Sequence, residues 1–477
     1  LIADQARAAA DASAGERLLM LARRLATLHK LGQMIARNRH LDPGFRKWLI
    51  ALENSPCTVP MAEVTERIAA ALGEDRLRFD VAVDPVPIAE ASVGVAVAFT
   101  FRDACGRRSR GVFKVLKPGI RRRLGEELGV LSALAEHLDH RRHRYGMGDF
   151  RFSETFTDMR TALLEEVDLS GEQRKLRAAR RFYRDGGPAR VPEVFGFSTP
   201  EVTAMGFIPG AKITDAASTP HERGRLARNL FNALIWRPLF SMDPDAPVHG
   251  DPHAGNLLAE APGGASGGRI GLIDWSLSTT LSRQIRGRLV FTMMGILMED
   301  LGMIADGIAS LSSDAGQHDA DFRRGIERAA RKIMAGEEFQ SGGIARKAFV
   351  MVDNLALAGY RFPAALLLFR KTFFTLEGVL ADLRPDFDVD GAMIEEMAAL
   401  FLSEAPQRWA ALLFPLSDRP EYYRSLISNL DLRILAQHFL AAFLRRSGAM
   451  MTAMATAGMG MVCPFPFHYG PLGVPRS

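Results

Sequence analysis

Apolar residues recur at two different spacings along the chain, and the change between the spacings divides the sequence. From residue 1 to about 37, and again in FRKWLIALE and MAEVTERIAAALG, apolar positions recur every three or four residues, which predicts amphipathic helices. Gly73 follows the last of these segments and predicts where that helix ends. Between residues 79 and 117 the pattern alternates, is rich in Val and Phe, and contains a turn with glycine, so two or three antiparallel strands are expected.

The rest of the chain is predicted to be mainly helical. Helices are expected at 121–144 and about 154–184, then two short strands that end at Pro209-Gly210, then further helices beyond residue 220. A flexible turn between two more short strands is expected at 260–269. These elements predict an α+β, protein-kinase-like fold with two lobes. We divide the chain into an N-terminal helical extension (1–78), a small lobe with a sheet and inserted helices (79–208), a large helical lobe (209–440) and an apolar C-terminal tail (441–477).

Composition restricts the classes of function. Apolar residues make up 47% of the chain and charged residues 24%, as expected for a globular protein with a sizeable core. The net charge of +5 allows contact with phosphates or lipid head groups, but no RNP-like or zinc-finger pattern accompanies it, which argues against nucleic-acid binding. Three dispersed cysteines and the lack of a secretory signal pattern predict a cytoplasmic protein.

The segment VHGDPHAGNLL contains an Asp and an Asn five residues apart, Asp251 and Asn256. This is the spacing of a phosphotransferase catalytic loop, in which the Asp orients or deprotonates the attacking hydroxyl and the Asn holds a magnesium ion. Any surface turn can hold the same residue types, so the segment alone does not decide. His249 is expected to brace the loop, and His253 either does the same, contacts a substrate or is simply exposed. Neither histidine has further ligands at a spacing that would bind zinc.

Two other segments supply side chains that a phosphotransferase needs. In GVFKVLKP, Lys114 shares one strand face with Val112 and Leu116, where an unpaired charge is costly, so Lys114 is the candidate phosphate-binding lysine. An edge-strand charge is the alternative, and Lys117, at the strand end, is expected to be solvated. In IGLIDWSLS an apolar strand leads into Asp274, the expected second metal ligand, for which a helix N-cap is the alternative.

The acid that would pair with this lysine is expected in LLEEVDLSGEQRKL, which offers Glu165, Glu166, Asp168 and Glu172. On one continuous helix Glu166 and Asp168 would diverge, so they could not both pair with a single lysine. Glu172 lies six residues beyond Glu166, over one and a half turns away. Spacing therefore leaves the choice open and predicts that the group serves two roles.

The motifs HGDPHAGN and IDW resemble those of the aminoglycoside and choline kinases, and equally those of the UbiB/AarF-type (ADCK-like) atypical kinases. Three earlier segments favour the second family. LHKLGQMIARNRHLDPGF resembles its KxGQ segment, with Lys30 and Gln33 in place; PIAEASVGVAVAF resembles its Ala-rich loop; EEVDLSGEQ resembles its ExD segment, as Glu166 and Asp168. The resemblance covers roughly residues 20 to 440.

The resemblance implies a role for each candidate residue. Lys114 is expected to pair with Glu172 and contact the phosphates of ATP, with Asp251 as the catalytic aspartate. Mg²⁺ is expected on Asn256 and Asp274. The remaining nucleotide contacts are expected from Ala91, Ser92, Gly94, Met205 and Phe207. Lys30 and Gln33 are expected to fold over the cleft and, together with Glu166 and Asp168, to take the space of a peptide substrate, which favours ATP hydrolysis over protein phosphorylation.

The implied activity is that of an ATPase that supports the biosynthesis or handling of an isoprenoid or quinone lipid. A small-molecule phosphotransferase and a nucleotide-binding pseudokinase scaffold stay open as alternatives. Two departures from the family pattern bear on nucleotide binding. Glu90 stands in the Ala-rich loop and brings a carboxylate near the expected phosphates, and Gly206 stands where an acid is usual.

Arginine runs predict either solvated faces or contact with an anionic membrane surface. The runs are Arg107-Arg108, Arg121–Arg123, Arg141-Arg142 and Arg445-Arg446. The uncharged stretch 447–463 has 17 residues, so as a helix it would reach roughly 25 Å against a hydrocarbon core of ~30 Å, and hydropathy does not favour a membrane span. UbiB-like proteins often carry C-terminal membrane helices, so peripheral attachment or anchoring through the tail stays open.

Overall fold

The structure is a computed structural model that describes most of residues 59–413. The gaps in this range are Ser92, Ala104, Ser341 and the stretches 142–151, 185–186, 217–218, 261–267 and 314–319; Leu426, Asn429, Arg433 and Gln437 are described as well. The described residues form two compact units. The larger unit comprises 59–238, 245–281 and 367–387, and the smaller unit comprises 239–244, 282–366 and the residues from 388 onward. The KxGQ segment with Lys30 and Gln33, Ser92, and the tail 441–477 lie outside the described residues.

Strands and helices alternate in the first part of the chain, and helices dominate the second. The strands are β1 (Ala82–Glu90), β2 (Gly94–Arg102), β3 (Arg108–Leu116), β4 (Ala189–Arg190), β5 (Val202–Gly206), β6 (Ala211–Lys212), β7 (Asp245–His249), β8 (Leu257–Ala259), β9 (Ile270–Leu272) and β10 (Ser278–Ser282). The helices before β7 are α1 (Met61–Leu72), α2 (Asp75–Arg78), α3 (Ile120–Arg141), α4 (Phe152–Val167), α5 (Leu169–Phe182), α6 (Pro220–Phe231) and α7 (Arg237–Phe240). A π-helical turn lies at Asn232–Trp236, and a 3₁₀ turn follows β7 at Ala254–Asn256. The later helices are α8 (Arg283–Leu297), α9 (Leu301–Leu311), α10 (Ala320–Met334), α11 (Glu337–Gln340), α12 (Ile344–Leu357), α13 (Ala364–Leu383) and α14 (Val389–Leu413).

The main sheet of the larger unit is antiparallel, in the order β1-β2-β3-β5. Pairing between β2 and β3 is regular along both strands, and places Ala96 opposite Lys114. Strand β1 lies at the edge, and its register with β2 shifts on both sides of Pro87. Proline has no backbone N–H to donate to a ladder, so an edge position and an irregular register are where a proline-containing strand fits.

The two faces of this sheet pack against different helices. On one face, Phe99 and Phe113 stack with ring centroids 3.8 Å apart and join a buried cluster with Val64 and Ile68 of α1. On the other face, buried Leu116 belongs to a cluster with residues of α3, α4 and α5. Because side chains alternate along a strand, Lys114 shares the face of Leu116, which is the face toward the three helices.

A second sheet in the larger unit has the order β4-β9-β8-β6, and β7 pairs with β10. The 3₁₀ turn separates β7 from β8, and β9 leads directly to Asp274. These short strands hold the segments that contain Asp251, Asn256 and Asp274. In the smaller unit, fully buried Arg286 of α8 donates to the backbone carbonyls of Ser241 and Asp243 and so ties the segment 239–244 to the helices.

Most of the expected elements are present, which confirms the α+β, kinase-like fold. Helix α1 ends at Gly73, whose φ of 53° suits glycine, and three strands lie within 79–117. The expectation of one helix at 154–184 is wrong, because α4 and α5 are separate helices on either side of Asp168. Within the described part of the chain, no helix combines the length and the apolar character that crossing a membrane requires.

Candidate active site

Lys114 of β3 lies between two carboxylates that come from distant parts of the chain. Its Nζ is 2.8 Å from Oε1 of Glu172 on α5 and 3.2 Å from Oδ1 of Asp274 after β9. The Glu172 side chain is only 1% exposed and that of Lys114 14%. The structure therefore brings together three of the predicted site residues, and none of the other described acids of the ExD segment contacts this lysine in the hydrogen bonds and ion pairs found.

The electrostatics of this cluster differ at each group. The pKa of Glu172 is raised to about 7, chiefly by burial and also by the charge of Asp274, while Lys114 offsets only part of this rise. Oε2 of Glu172 is buried without a hydrogen-bond partner, which agrees with a poorly solvated carboxylate. Burial alone would lower the pKa of Lys114, but the two carboxylates outweigh burial and raise it, so the ammonium stays protonated.

Asp274 lies on a tight turn that fixes its carboxylate. Its φ of 57° is in the left-handed region, which is uncommon for a residue other than glycine. Oδ1 accepts hydrogen bonds from the Ser276 hydroxyl at 2.6 Å and from the Ser276 backbone N–H at 3.2 Å. Burial would raise the pKa of Asp274, but Lys114 and the Ser276 donors outweigh burial and hold the pKa well below its usual range. The carboxylate is therefore ionised at neutral pH.

Trp275 anchors the same turn. The indole is fully buried, its Nε1 donates to the Leu272 carbonyl at 3.2 Å, and its ring meets His249 edge-on with centroids 5.0 Å apart. The turn is therefore fixed on one side by packing and on the other by the hydrogen bonds of Ser276. In the kinase Asp-Phe-Gly segment, Phe and Gly occupy these two positions.

The catalytic-loop candidate is braced by histidine, as the sequence predicts. Nε2 of His249 is 2.9 Å from the Ile273 carbonyl, and its Nδ1 accepts from the Asp251 backbone N–H at 3.3 Å. Burial lowers the pKa of His249, which keeps the ring neutral so that it can accept and donate at once. The loop is joined to the Asp274 segment by the Ile273 N–H, which donates to the Asn256 carbonyl at 3.1 Å.

Asp251 and Asn256 meet at the base of this loop. The Asn256 Nδ2 donates to the Asp251 carbonyl at 3.1 Å, so the amide oxygen of Asn256 is the atom left to bind a ligand. The Asp251 side chain is 15% exposed and lies 3.9 Å from Nε2 of His253. His253 also accepts from the Gly255 N–H, so the ring shapes the loop and stands beside the candidate catalytic carboxylate.

The acids of the ExD segment are separated from Glu172 by a helix break. Asp168 is the N-cap of α5, and its Oδ1 accepts from the Gly171 N–H at 2.9 Å. Gly171 leaves room for this close approach, since a Cβ there would lie 2.3 Å from the Asp168 carboxylate oxygen as it is now placed. Glu166 lies two residues before Asp168, at the end of α4, and is half-buried, whereas Asp168 is exposed. Asp168 thus positions α5, the helix that carries Glu172. Its own side chain does not lie on the face of α5 that holds Glu172.

Lys175, one turn beyond Glu172 on α5, is a site neighbour that the sequence reasoning missed. Its Nζ donates to the Ser276 carbonyl at 2.6 Å and lies 3.5 Å from Oε2 of Glu165. Helix α5 therefore contacts the Asp274 turn twice, through Glu172 and Lys114 and directly through Lys175. The spacing of three residues from Glu172, which puts both side chains on one helix face, was the available signal.

The loop between β1 and β2 has a charge pair that changes the expectation for Lys117. Nζ of Lys117 is 2.6 Å from Oε1 of Glu90, and the two side chains are 15% and 7% exposed. The expectation that Lys117 is solvated is wrong, because β1 and β2 bring the loop carboxylate onto it. The loop closes through a hydrogen bond from the Ala91 N–H to the Gly94 carbonyl at 2.8 Å. The Glu90 carboxylate is thereby neutralised by a partner within the sheet.

The other expected nucleotide contacts lie at the end of β5. Met205 is buried opposite Val112 of β3, and the Phe207 N–H donates to the Arg110 carbonyl at 3.2 Å. The Arg110 guanidinium covers the Phe207 ring at 4.4 Å. This segment leaves the sheet directly beside β3, the strand of Lys114. Gly206 lies between Met205 and Phe207 and, as a glycine, has no acidic side chain to offer there.

The donors suit magnesium bound together with phosphates. Mg²⁺ prefers oxygen ligands and is usually held by one or two carboxylates and the phosphates of a substrate, not by a complete protein cage. An ionised Asp274 and the amide oxygen of Asn256 are such a pair. Among the described residues, no group of three or more His, Cys, Asp or Glu side chains is placed to hold a metal ion.

Comparison with known proteins assigns a family to this arrangement. The family model for the ABC1 atypical kinase-like domain matches residues 51–307, more than half of the 477 residues. The chain belongs to this family. The expected membership of the UbiB/ADCK-like atypical kinases is confirmed, since relatives that match most of the chain are probable protein kinases UbiB.

Three relatives show how far the family similarity extends. A probable protein kinase UbiB of Xylella fastidiosa is 26% identical over 398 residues, which cover 80% of this chain and 68% of that protein. A protein of the same name from Xanthomonas euvesicatoria is 26% identical over 404 residues, 80% of this chain and 70% of that protein. An uncharacterized protein of Synechocystis is 25% identical over 371 residues, which are 76% of this chain but only 60% of that relative.

Proposed function

We propose that this family member binds Mg-ATP at Lys114, Asn256 and Asp274 and hydrolyses it, in support of isoprenoid or quinone lipid biosynthesis or handling. The observation that carries the proposal is the position of the Lys114 ammonium, held by Glu172 at 2.8 Å beside Asp274 at 3.2 Å. Kinase-like enzymes need a lysine clamped by an acid from the neighbouring helix and an aspartate that binds the metal.

Each side chain of the cluster has a task that its environment supports. Lys114, protonated and largely buried, would contact the phosphates, and Glu172 would keep the ammonium in place. Asp274 and the Asn256 amide oxygen would hold Mg²⁺, which when bound neutralises charge on the phosphates. Asp251 would orient or deprotonate the attacking water. The nucleotide base would lie against Met205 and Phe207, and the loop of Ala91, Ser92 and Gly94 would cover the phosphates.

Hydrolysis in place of protein phosphorylation rests on the family resemblance. The resemblance implies that Lys30, Gln33, Glu166 and Asp168 fill the space of a peptide substrate, and an isoprenoid or quinone lipid is the implied client. The two UbiB relatives are named probable protein kinases, and protein phosphorylation is the competing activity. The chain spans only 60% of the Synechocystis relative. Any activity of that longer protein is therefore only proposed for this chain.

Asp274→Asn tests the metal role directly. The substitution keeps the shape of the side chain and removes the charge, so we expect ATP turnover to fall at least about a hundredfold, since electrostatic stabilisation is usually the largest single contribution to catalysis. Asp321→Asn is the matched control. That carboxylate is exposed on α10 and pairs with Arg324 at the surface, so ATP turnover should stay unchanged. Equal turnover of the two variants would contradict the assigned role.

A thermal-shift series and a turnover assay together separate the three functions that the sequence leaves open. Mg-ATP and Mg-ADP should raise the Tm of the wild type, and ATP without Mg²⁺ should raise it less, because bound ligand stabilises the folded state by mass action. A pseudokinase scaffold predicts no Mg²⁺-dependent shift. A small-molecule phosphotransferase predicts turnover only when an acceptor such as choline or an aminoglycoside is added, whereas the proposed ATPase needs none.

A further inference from the structure

A groove of about 670 Å³ on the larger unit is lined largely by arginines. The described residues that line it are Arg177, Arg180, Arg181, Tyr183, Arg184, Ala189, Arg190, Val191, Glu193, Val194 and Arg269. Six of the eleven are arginines and one is an acid. Buried Tyr183, Ala189 and Val191 form the floor, and the Tyr183 hydroxyl is fixed by donating to the Ala233 carbonyl at 2.8 Å.

Two of the six groove arginines pair with acidic side chains, whereas the other four have no such partner among the described residues. Arg180 pairs with Glu193 at 3.0 Å, and Arg190 pairs with Glu260 at 2.8 Å. For the remaining four, Arg177, Arg181, Arg184 and Arg269, no carboxylate of the described residues lies within ion-pair distance. Exposed arginines elsewhere in the described chain are of both kinds: Arg102 pairs with Asp80 and Arg323 with Asp306, whereas Arg76 and Arg223 have no carboxylate partner among the described residues.

The geometry concentrates these charges on one surface. Arg177, Arg181 and Arg184 follow one another at intervals of four and three residues, so they lie on one face of α5 and its C-terminal end. Arg269 comes from a different element, at the start of β9, and lines the same groove. Like charges at this spacing repel one another, and a bound anion would relieve that repulsion, whereas the helix dipole favours cations at this end of α5.

We propose that this groove is a binding site for a phosphate-bearing anion, separate from the residues assigned to ATP and Mg²⁺. Guanidinium groups match the geometry of phosphate oxygens and bind them in pairs of hydrogen bonds, and several converging arginines favour a multiply charged anion over a single carboxylate. The ligand chemistry is a phosphate in an open basic groove with an apolar floor. It is present both in a free polyphosphate and in the head group of an anionic lipid, and the experiment distinguishes the two.

The test uses a charge-reversal variant with a matched control. Arg181→Glu/Arg184→Glu changes two exposed groove arginines and leaves Lys114, Asn256 and Asp274 as they are. Arg328→Glu/Lys332→Glu makes the same charge change on exposed positions of α10, outside the groove. Arg181→Gln/Arg184→Gln serves as a milder second variant, and circular dichroism with thermal melting shows whether each protein is folded.

Binding is measured with two probes at low ionic strength and without Mg²⁺. Inorganic triphosphate, titrated calorimetrically, represents the free anion. Vesicles of phosphatidylcholine with and without phosphatidylglycerol, measured by sedimentation, represent the lipid head group. The wild type and the α10 control should bind at least one probe, and the charge-reversal variant should bind that probe at least about tenfold more weakly.

Each outcome decides the proposal. If the groove variants lose binding to triphosphate but not to phosphatidylglycerol vesicles, the ligand is a free polyphosphate. If they lose binding to the vesicles but not to triphosphate, the ligand is a lipid head group. Equal binding by the groove variants and the α10 control would overturn the proposal, as would a wild type that binds neither probe. Because no arm requires ATP turnover, the groove can succeed where the proposed ATPase activity fails, and the reverse.

Discussion

Replacing Glu172 by Gln should make the protein more stable at pH 8 and impair its activity. Glutamine has the shape of the protonated acid, so it keeps a polar partner for Lys114 and removes a carboxylate that is only 1% exposed. Burial raises the pKa of Glu172 to about 7, whereas a glutamate in an unfolded chain has a pKa of about 4.3. The folded protein without bound nucleotide or metal therefore keeps a proton that the unfolded chain releases between these two values.

The sign and size of the effect follow from this difference. A group whose pKa is raised on folding contributes stability below its unfolded pKa, and that stability is lost as the pH rises toward its folded pKa. With 1.36 kcal/mol for each pKa unit, the ionised Glu172 should cost the wild type about 4 kcal/mol of unfolding free energy at pH 8, and only about 1 kcal/mol at pH 5. Glu172→Gln escapes this cost, so its advantage should grow with pH.

Urea unfolding followed by circular dichroism at pH 5, 6.5 and 8 measures the difference. Glu126→Gln is the control, because that side chain is 71% exposed and lies 4.0 Å from Arg122, at the limit of ion-pair distance. A surface pair of this kind contributes little to stability at any pH. ATP turnover by Glu172→Gln should fall at the same time, since a neutral amide holds the Lys114 ammonium less firmly. A variant that is no more stable than the wild type at pH 8, or whose advantage does not shrink by pH 5, would refute the reasoning.

Two further substitutions test how α5 is held. Lys175→Met removes a charged hydrogen bond to the Ser276 carbonyl, so it should lower the unfolding free energy by about 1 kcal/mol and raise several-fold the Mg²⁺ concentration for half-maximal ATP turnover. Lys175→Arg should retain part of the stability and part of the Mg²⁺ affinity. An unchanged Mg²⁺ requirement would show that Lys175 does not position Asp274. Asp168→Ala removes the N-cap of α5 and should cost about 1 kcal/mol in urea unfolding, while Asp168→Asn keeps an oxygen that can accept from Gly171; equal losses in the two variants would contradict the capping role.

The sequence predicts the elements of the site better than the contacts between them. Alternating apolar residues located the strand of Lys114, and an apolar run located the strand before Asp274, because burial imposes these patterns locally. The pairing of Lys114 with Glu172 was implied only by the family resemblance, since spacing left four acids to choose from. Their roles in catalysis stay predictions.

What the sequence did not predict depends on contacts between distant residues. The apolar periodicity runs through both α4 and α5, so it hid the break at Asp168, whose side chain caps α5 by accepting from the Gly171 N–H. Lys117 was expected in water because its partner Glu90 arrives only through the register of β1 and β2. Lys175 meets Ser276 across 101 positions of the chain, and no local pattern records that meeting.

The larger unit is not continuous along the chain, and this has a consequence for its synthesis. Thr372 of α13 donates its hydroxyl to the His249 carbonyl at 2.9 Å, and a Cβ at Gly250 would touch Leu368 of the same helix at 3.0 Å. The ribosome must therefore complete the intervening segment 282–366 before the helix that closes the loop of Asp251 emerges. A chain cut at residue 307, where the family match ends, would lack this helix and leave a fully buried carbonyl acceptor without its donor.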